Sequence, residues 1–258
     1  MNQEIISQLR DKADSIYVHT LQRTYFRLFG HPIHQRFAIV GNARTGSNFL
    51  LDGLKTSPSV RTYHEIFADH NRKVGKDFDK ILSTVFAYES KSTQVVGFKV
   101  FYNHLTEEEW SKLVAYKDLK VIHLLRRNRL RTVISLEIAF KTGEWTKSKN
   151  NSSGPREKRV RLEPSKLIKR LEQIEEGECA TRVRFLDREI LEIFYEDLVQ
   201  NPKQTFAIVG AYLGVGGIDP DKIRLRKQNP ESLRQLIVNY DEVEAVLKNT
   251  RFAEYLTD

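Results

Sequence analysis

The segment at residues 41–48, GNARTGSN, has the residue types of a loop that binds an anion. Gly41 and Gly46 stand five positions apart, and glycine permits positive φ angles and close approach of the backbone to a ligand. Successive loop amides can then point at one anion at the start of the next helix. Ser47 and Asn48 occupy the positions where a nucleotide-binding phosphate loop has its lysine and hydroxyl residue. The spacing therefore predicts an anion site, and the missing lysine disfavours a nucleoside triphosphate.

Charged side chains also accompany the later strand-like runs of the chain. His64 and Glu65 follow the second run, Lys99 stands near the end of the third, and Arg126 and Arg127 follow the fourth. In a parallel sheet, ligands collect outside the carboxyl ends of the strands. We therefore expect these groups to share one edge with the anion loop, although strand ends are also simply exposed places where charged residues are common.

The residues of the loop limit the charge of the anion that it can hold. Transfer of a phosphoryl group needs a lysine and magnesium because that group is multiply charged. A sulfuryl group carries one negative charge fewer, so backbone amides and one guanidinium are sufficient and a metal ligand is dispensable. Arg44 supplies that guanidinium, whose planar fork suits tetrahedral oxyanions.

The elements that must position these groups alternate along the chain. Strand-like runs at 37–40, 60–63, 95–100, 120–125 and 190–195 are separated by helical stretches, including a capping box from Thr106 to Glu109. This order predicts an α/β fold with a parallel sheet covered by helices on both faces. Helical spacing of apolar residues predicts an N-terminal helical extension at 1–34, before an α/β core at 36–256. We expect a single domain over 1–258.

Composition sets the outer bounds. The 258 residues are 40% hydrophobic, enough to bury one large core. The N-terminus lacks a signal-peptide pattern, and no apolar run approaches the roughly 20 residues that a membrane span needs. The lone Cys179 excludes an intramolecular disulfide and a cysteine-based metal cluster, so a cytoplasmic protein is expected. The net charge of +8 favours anionic partners.

Two segments together carry a specific resemblance. RTGSNFL and RRNRLRTVIS look like the signature of sulfotransferases that use 3′-phosphoadenosine 5′-phosphosulfate (PAPS) and release adenosine 3′,5′-bisphosphate (PAP). The resemblance implies a P-loop-like sulfotransferase architecture and no metal. It places the 3′-phosphate on Arg127 and Ser135, and the 5′-phosphosulfate on the loop residues Arg44, Thr45, Gly46, Ser47, Asn48 and Phe49.

Further segments extend the resemblance over roughly residues 36–256. TYHEIF is similar to the bacterial carbohydrate branch, including trehalose sulfotransferases, in which this glutamate is the proposed acceptor base; here it is Glu65. GFKV puts Lys99 where many members keep a lysine near the sulfuryl group. Ala43 and Asn48 replace a usual proline and threonine. The stretch RLRKQNPESL lacks the glycines of the cytosolic family's phosphate clamp and offers three candidate 3′-phosphate contacts, Arg226, Lys227 and Gln228.

Transfer to a hydroxyl needs a base that takes its proton. Glu65 is the expected base, with His64 as the alternative and His104 as a more remote one. Lys99 and Arg44 are expected to offset charge on the sulfuryl and leaving-group oxygens. The expected acceptor is a carbohydrate or a small hydroxylated metabolite.

The segment at 141–161 combines seven Lys or Arg residues with Gly, Ser, Asn and Pro. It predicts a mobile loop, either a lid that uses Trp145 or a solvated surface connection. A nucleotide kinase or NTPase and a basic nucleic-acid-binding protein are the alternative functions. Nucleic-acid binding lacks an accompanying recognition motif. The N-terminal helix could form a homodimer surface.

Overall fold

A five-stranded parallel sheet lies at the centre of the molecule. The computed structural model describes residues 30–32, 35–69, 71–72, 77–145, 157–225 and 229–257. The sheet has the order β3-β5-β2-β6-β7. Its strands are β2 (Gln35–Gly41), β3 (Val60–Tyr63), β5 (Val95–Phe101), β6 (Leu119–Leu125) and β7 (Ile190–Phe194), while β1 (His31–Pro32) and β4 (Tyr88–Glu89) form a separate antiparallel pair. The predicted parallel α/β sheet is confirmed.

Helices connect the strands and cover the sheet. They are α1 (Ser47–Leu54), α2 (Phe78–Val85), α3 (Glu107–Ala115), α4 (Arg129–Thr142), α5 (Pro164–Arg184), α6 (Tyr195–Gln200), α7 (Pro202–Leu213), α8 (Leu233–Leu236) and α9 (Tyr240–Leu247), with 3₁₀ turns at Pro220–Lys222 and Ala253–Leu256. Among the described residues, no helix has the length and apolar content to cross a membrane. The predicted extension at 1–34 lies almost wholly outside the described residues.

Local signals account for several of the helix boundaries. Thr106 and Glu109 form the predicted capping box at the start of α3, since each side chain accepts a hydrogen bond from the other's backbone N–H. Asn128 caps α4 by accepting the N–H of Arg131. Gly214 ends α7 with a φ of 69°. These caps fix where each helix begins or ends relative to its strand.

Alternate residues of β2 pack into two separate core layers. Phe37 and Ile39 lie on the face covered by α1 and α7. Ala38 and Val40 lie on the face covered by α2 and α3. Because both faces are buried, the strand is a continuous apolar run rather than an alternating one. Burial of each large side chain contributes roughly 1.5 to 3 kcal/mol, so the central strand is held firmly from both sides.

The position of β2 determines where the site can form. Its last residue, Gly41, is in register with Phe101 of β5 and Leu124 of β6. The loop that follows β2 therefore lies between the carboxyl ends of these two neighbours. Helices α4, α5, α8 and α9 form a third apolar cluster, which supports the helix that leaves β6.

Candidate active site

The loop after β2 has two left-handed residues. Gly46 has a φ of 89° and Arg44 a φ of 70°. A Cβ on Gly46 would lie 2.5 Å from Cδ2 of Tyr195, and one on Gly41 would lie 2.5 Å from the carbonyl oxygen of Leu124. Gly41 is thus required because its backbone lies close to that of Leu124, and not because of a positive φ. The positive φ angles of the loop belong to Arg44 and Gly46. A left-handed residue other than glycine is uncommon and marks local strain.

Helix α1 begins directly after this loop. Gly46 is its N-cap and has no side chain to accept from the first amides, although its carbonyl oxygen accepts the N–H groups of Phe49 and Leu50. Thr45 is buried and donates its hydroxyl to the carbonyl of Asn42 at 2.8 Å, which tightens the turn. The positive end of the α1 dipole therefore lies at the loop, where an anion is favoured.

Lys99 joins the loop to the end of β3. Its side chain is 2% exposed, and its Nζ lies 2.7 Å from Oε1 of Glu65. The same Nζ donates to Oδ1 of Asn48 at 2.5 Å. Burial lowers the pKa of Lys99, and the hydrogen bond to Glu65 opposes that change. Three of the predicted site residues, from the loop after β3, the first turn of α1 and strand β5, are thus in direct contact.

His64 has a different partner. Its Nε2 lies 2.9 Å from Nζ of Lys55, at the end of α1. The pKa of His64 is lowered, first by burial and then by the charge of Lys55. When Lys55 is charged, it can only donate. Nε2 of His64 is then the acceptor, so the ring carries its proton on Nδ1 and cannot take another through Nε2.

Arg44 reaches from the loop to α4. Its Nε donates to Oγ of Ser135 at 3.0 Å, and its Nη1 donates to the carbonyl oxygen of Trp145 at 2.6 Å. Asn229 also donates to Oγ of Ser135, at 3.2 Å. Burial lowers the pKa of Arg44. The predicted 5′ and 3′ sides therefore meet through one hydroxyl, and the start of the 141–161 segment is attached to the same arginine.

Arg127 is turned toward carboxylates. Its guanidinium forms two 2.8 Å hydrogen bonds to Asp197 and stacks 4.3 Å above the ring centre of Phe194. Its backbone N–H donates to Glu196 at 3.1 Å. The hydrogen bond to Asp197 raises the pKa of Arg127. Its side chain is half exposed. Arg127 thus stands at the predicted edge of the sheet but is paired within the protein.

The neighbouring arginine is buried. Arg126 donates from Nη1 to the carbonyl oxygens of Arg44 and Arg131, both at 3.3 Å, and its guanidinium lies 4.7 Å from the ring centre of Tyr195. Burial lowers its pKa to about 10, against the opposing effects of Tyr195 and Glu196. It therefore remains charged at neutral pH.

Other predicted residues lie apart from these contacts. His104 accepts the N–H of Phe101 through Nδ1 at 3.2 Å, in the turn after β5. Phe49 is half-buried. The three residues at 226–228 (Arg226, Lys227, Gln228) lie outside the described residues, although Asn229 directly after them reaches Ser135. Within the described part of the chain, the His, Cys, Asp and Glu side chains form no group of three or more that could hold a metal ion.

Three residues in this region had no predicted role: Lys55, Tyr195 and Asn229. Arg126 was expected at this sheet edge, since it directly follows a buried strand as Arg127 does, but the sequence assigned it no contact. Lys55 and Asn229 carried no usable signal, because their roles depend on contacts with His64 and Ser135 across the fold.

Sequence comparison finds relatives that cover most of the chain. No family model matches the chain. It is 27% identical over 234 residues to nodulation protein H of Rhizobium meliloti (strain 1021), covering 86% of this chain and 94% of that protein. It is 25% identical over 236 residues to nodulation protein H of Rhizobium tropici, covering 87% and 94%.

The fold has a counterpart among solved structures. A sulfotransferase from Alicyclobacillus acidocaldarius matches 87% of this chain and 97% of its own, with a TM-score of 0.50 and 19% identity. The predicted P-loop-like sulfotransferase fold is thereby confirmed. The chain is thus similar over most of its length to nodulation protein H in sequence and to a solved sulfotransferase in fold.

Proposed function

We propose that the protein is a PAPS-dependent sulfotransferase that transfers a sulfuryl group to a hydroxyl of a carbohydrate or a small hydroxylated metabolite. The observation that carries the proposal is the contact of Lys99 with both Glu65 and Asn48. It brings a buried cation and a carboxylate to the anion loop, which is the pairing that transfer to a hydroxyl requires.

The residues present fit the donor. The loop offers amides at a helix N-terminus together with Arg44, and these would hold the 5′-phosphosulfate. Ser135, with Arg127 nearby on the chain, would hold the 3′-phosphate. The buried Nε of Arg126 finds no hydrogen-bond partner among the described residues, and the carboxylate of Glu196 lies 4.0 Å away from it. PAPS, when bound, supplies an activated sulfuryl group whose bond to the bridging phosphate oxygen breaks as the acceptor oxygen attacks sulfur.

Glu65 is the better placed base of the two that the sequence left open. Its carboxylate is held by Lys99 through Oε1, which leaves Oε2 to take the proton of the acceptor hydroxyl. His64 instead presents Nε2 to Lys55. Glu65 would therefore accept the proton, while His64 would orient the acceptor by donating from Nδ1.

Lys99 and Arg44 would act on developing charge. Lys99 is buried and Arg44 is half-buried, and fixed cations in a site that excludes water stabilise charge more strongly than cations in solvent. Lys99 would face the sulfuryl and leaving-group oxygens while holding the Glu65 carboxylate in place through their ion pair. Arg44 would do the same from inside the loop.

A thermal-shift experiment tests the donor. PAP at about 100 times its Kd should stabilise the fold by roughly 2.7 kcal/mol without added metal. ATP with magnesium should have a much smaller effect. Adenosine 5′-phosphosulfate, which lacks the 3′-phosphate, is the matched control and should also bind more weakly than PAP. Equal shifts with PAP and ATP would point to an NTPase instead.

A transfer assay tests the reaction. Radiolabelled PAPS and a panel of sugars should give a labelled, acid-stable product only in the presence of an acceptor hydroxyl. Binding of PAP without transfer to any sugar or small alcohol of the panel would restrict the proposal to its donor part.

A further inference from the structure

Arg126 connects the two elements that carry the proposed donor site. Its guanidinium donates from Nη1 to the carbonyl of Arg44, in the loop, and to the carbonyl of Arg131, in the first turn of α4. Its side chain is 7% exposed. It is the first residue after β6, an internal strand that pairs with both β2 and β7. The same nitrogen therefore links the loop, the helix and the sheet.

The carbonyl that Arg126 binds belongs to a strained residue. Arg44 has a φ of 70°, which a side chain other than glycine adopts at a cost. Such a conformation persists when its surroundings fix it. Arg126 binds the carbonyl oxygen of Arg44 and so contributes directly to holding that peptide. The peptide in turn fixes the position and direction from which the Arg44 side chain projects.

The ring of Tyr195 also supports the loop. The Arg126 guanidinium lies 4.7 Å from the ring centre of Tyr195. The same ring meets Gly46 so closely that a Cβ there would lie 2.5 Å from it. Both left-handed residues of the loop, Arg44 and Gly46, are thus backed by the Arg126 and Tyr195 pair.

The charge of Arg126 is only weakly compensated within the described residues. The nearest carboxylate oxygen, on Glu196, is 4.0 Å from Nε, and Nε has no hydrogen-bond partner there. A cation that served solely to hold the fold together would be expected to have a close partner, because an uncompensated buried charge is costly. An anion bound in the adjacent loop would supply the missing charge.

We propose that Arg126 is a positioning residue for sulfuryl transfer. It fixes the left-handed peptide of Arg44 against the first turn of α4, and it adds a buried positive charge beneath the donor loop. This inference rests on the proposed function. It assigns Arg126 no contact with the reacting atoms: it acts through Arg44.

Two substitutions separate its charge from its hydrogen bonds. Arg126→Lys keeps the charge but replaces the planar guanidinium, whose Nη1 reaches both carbonyls, with a compact ammonium on a different stem. Arg126→Gln keeps a donor but removes the charge. Arg129→Lys is the matched control, since Arg129 is another partly buried arginine at the start of α4, paired with Glu178 and not with the site. Each variant is assayed for Tm, for PAP affinity by calorimetry, and for kcat and KM with PAPS.

The expected pattern differs between the two positions. Arg126→Lys should lower kcat by roughly 10- to 100-fold, because a small misplacement of a catalytic group costs that much, with a smaller loss of PAP affinity. Arg126→Gln should weaken PAP binding more than Arg126→Lys does. Arg129→Lys should lower Tm and leave kcat and PAP affinity near the wild-type values.

Several results would overturn the inference. Wild-type kcat and PAP affinity in both Arg126 variants would do so, as would losses that match those of Arg129→Lys at equal loss of Tm. If both Arg126 variants fail to fold while Arg129→Lys folds, Arg126 is a structural residue. Absence of PAP binding by the wild-type protein would instead refute the proposed function, and this inference with it.

Discussion

The two halves of the proposed donor site differ in how their cations are partnered. In the loop half, formed by Arg44, Asn48, Glu65 and Lys99, Lys99 is buried and already contacts both the loop and the carboxylate. In the helix half, formed by Arg127 and Ser135, Arg127 is half exposed and is bound to Asp197. One half is thus assembled, and the other has to exchange a partner before it can bind a phosphate.

The difference in partnering follows from the place of each residue in the fold. Lys99 projects from a strand with both faces buried, so its few possible partners are fixed by the sheet. Arg127 follows the end of β6 and can turn to any nearby acid. An exposed ion pair contributes about 0 to 1 kcal/mol, so exchanging Asp197 for a phosphate costs little. The preformed loop half would orient the reacting groups, and the helix half, whose partner can be exchanged, would distinguish a donor with a 3′-phosphate from one without it.

The largest effect is expected in the loop half. Glu65→Gln keeps the shape and much of the hydrogen bonding of Glu65 but removes its ability to accept a proton at neutral pH. Turnover should fall roughly 100-fold or more, as expected for a lost general base, while PAP affinity is retained. Single-turnover assays with PAPS and calorimetry with PAP measure the two quantities separately.

His64→Asn is the matched control for the assignment of the base. It removes the ring that Lys55 binds but leaves Glu65 and Lys99 in place, so the loss of turnover should be clearly smaller than in Glu65→Gln. The reverse order would make His64 the base and would contradict the tautomer that its contact with Lys55 implies.

Substitutions in the helix half should change the affinity for PAP. Arg127→Ala should weaken PAP binding by roughly 1.5 to 3 kcal/mol, the range for a lost charge-assisted hydrogen bond, and should remove the preference for PAP over ATP. Asp197→Asn breaks the same ion pair from the other side, but it frees Arg127 and removes a competing negative charge, so PAP binding should be unchanged or stronger. Equal losses in the two variants would mean that the pair supports the fold and does not read the phosphate.

Aromatic residues beside Arg44 allow a third test. Trp145 is 46% exposed and packs edge-on against Phe140, 66% exposed, with ring centres 5.2 Å apart. If the 141–161 segment is a lid, Trp145→Ala should raise the acceptor KM by about 10-fold, consistent with loss of a stacking contact of about 1 kcal/mol or more, and leave PAP affinity unchanged. Hydrogen exchange across 141–161 should slow when donor and acceptor are both present. Exchange that stays fast would refute the lid.

Features that follow from the backbone could be predicted from the sequence, whereas the partners of long side chains could not. The apolar runs located the parallel strands, and the spacing of Gly41 and Gly46 located the loop, because these features follow from the backbone. Tyr195 was assigned to the last strand but begins α6. The partners of the long side chains were harder to predict. That Arg127 would choose Asp197, or that Arg126 would turn beneath the loop, depends on partners about 70 and 80 positions away along the chain.

The smallest effect is expected from Asn48, where this chain departs from the threonine common in the resembled family. Asn48→Thr leaves a shorter acceptor for Lys99, so the hydrogen bond now measured at 2.5 Å should weaken or be lost. The net cost should be about 1 kcal/mol, or up to roughly fivefold in kcat. That bond favours the charged ammonium, and burial already lowers the pKa of Lys99. Its loss should lower this pKa further, so the alkaline limb of the pH profile of kcat should move to lower pH while the acid limb stays. Asn48→Asp is the opposite control: it adds a negative charge and should move the alkaline limb to higher pH. Unchanged alkaline limbs in both variants would show that Lys99 is held by Glu65 alone.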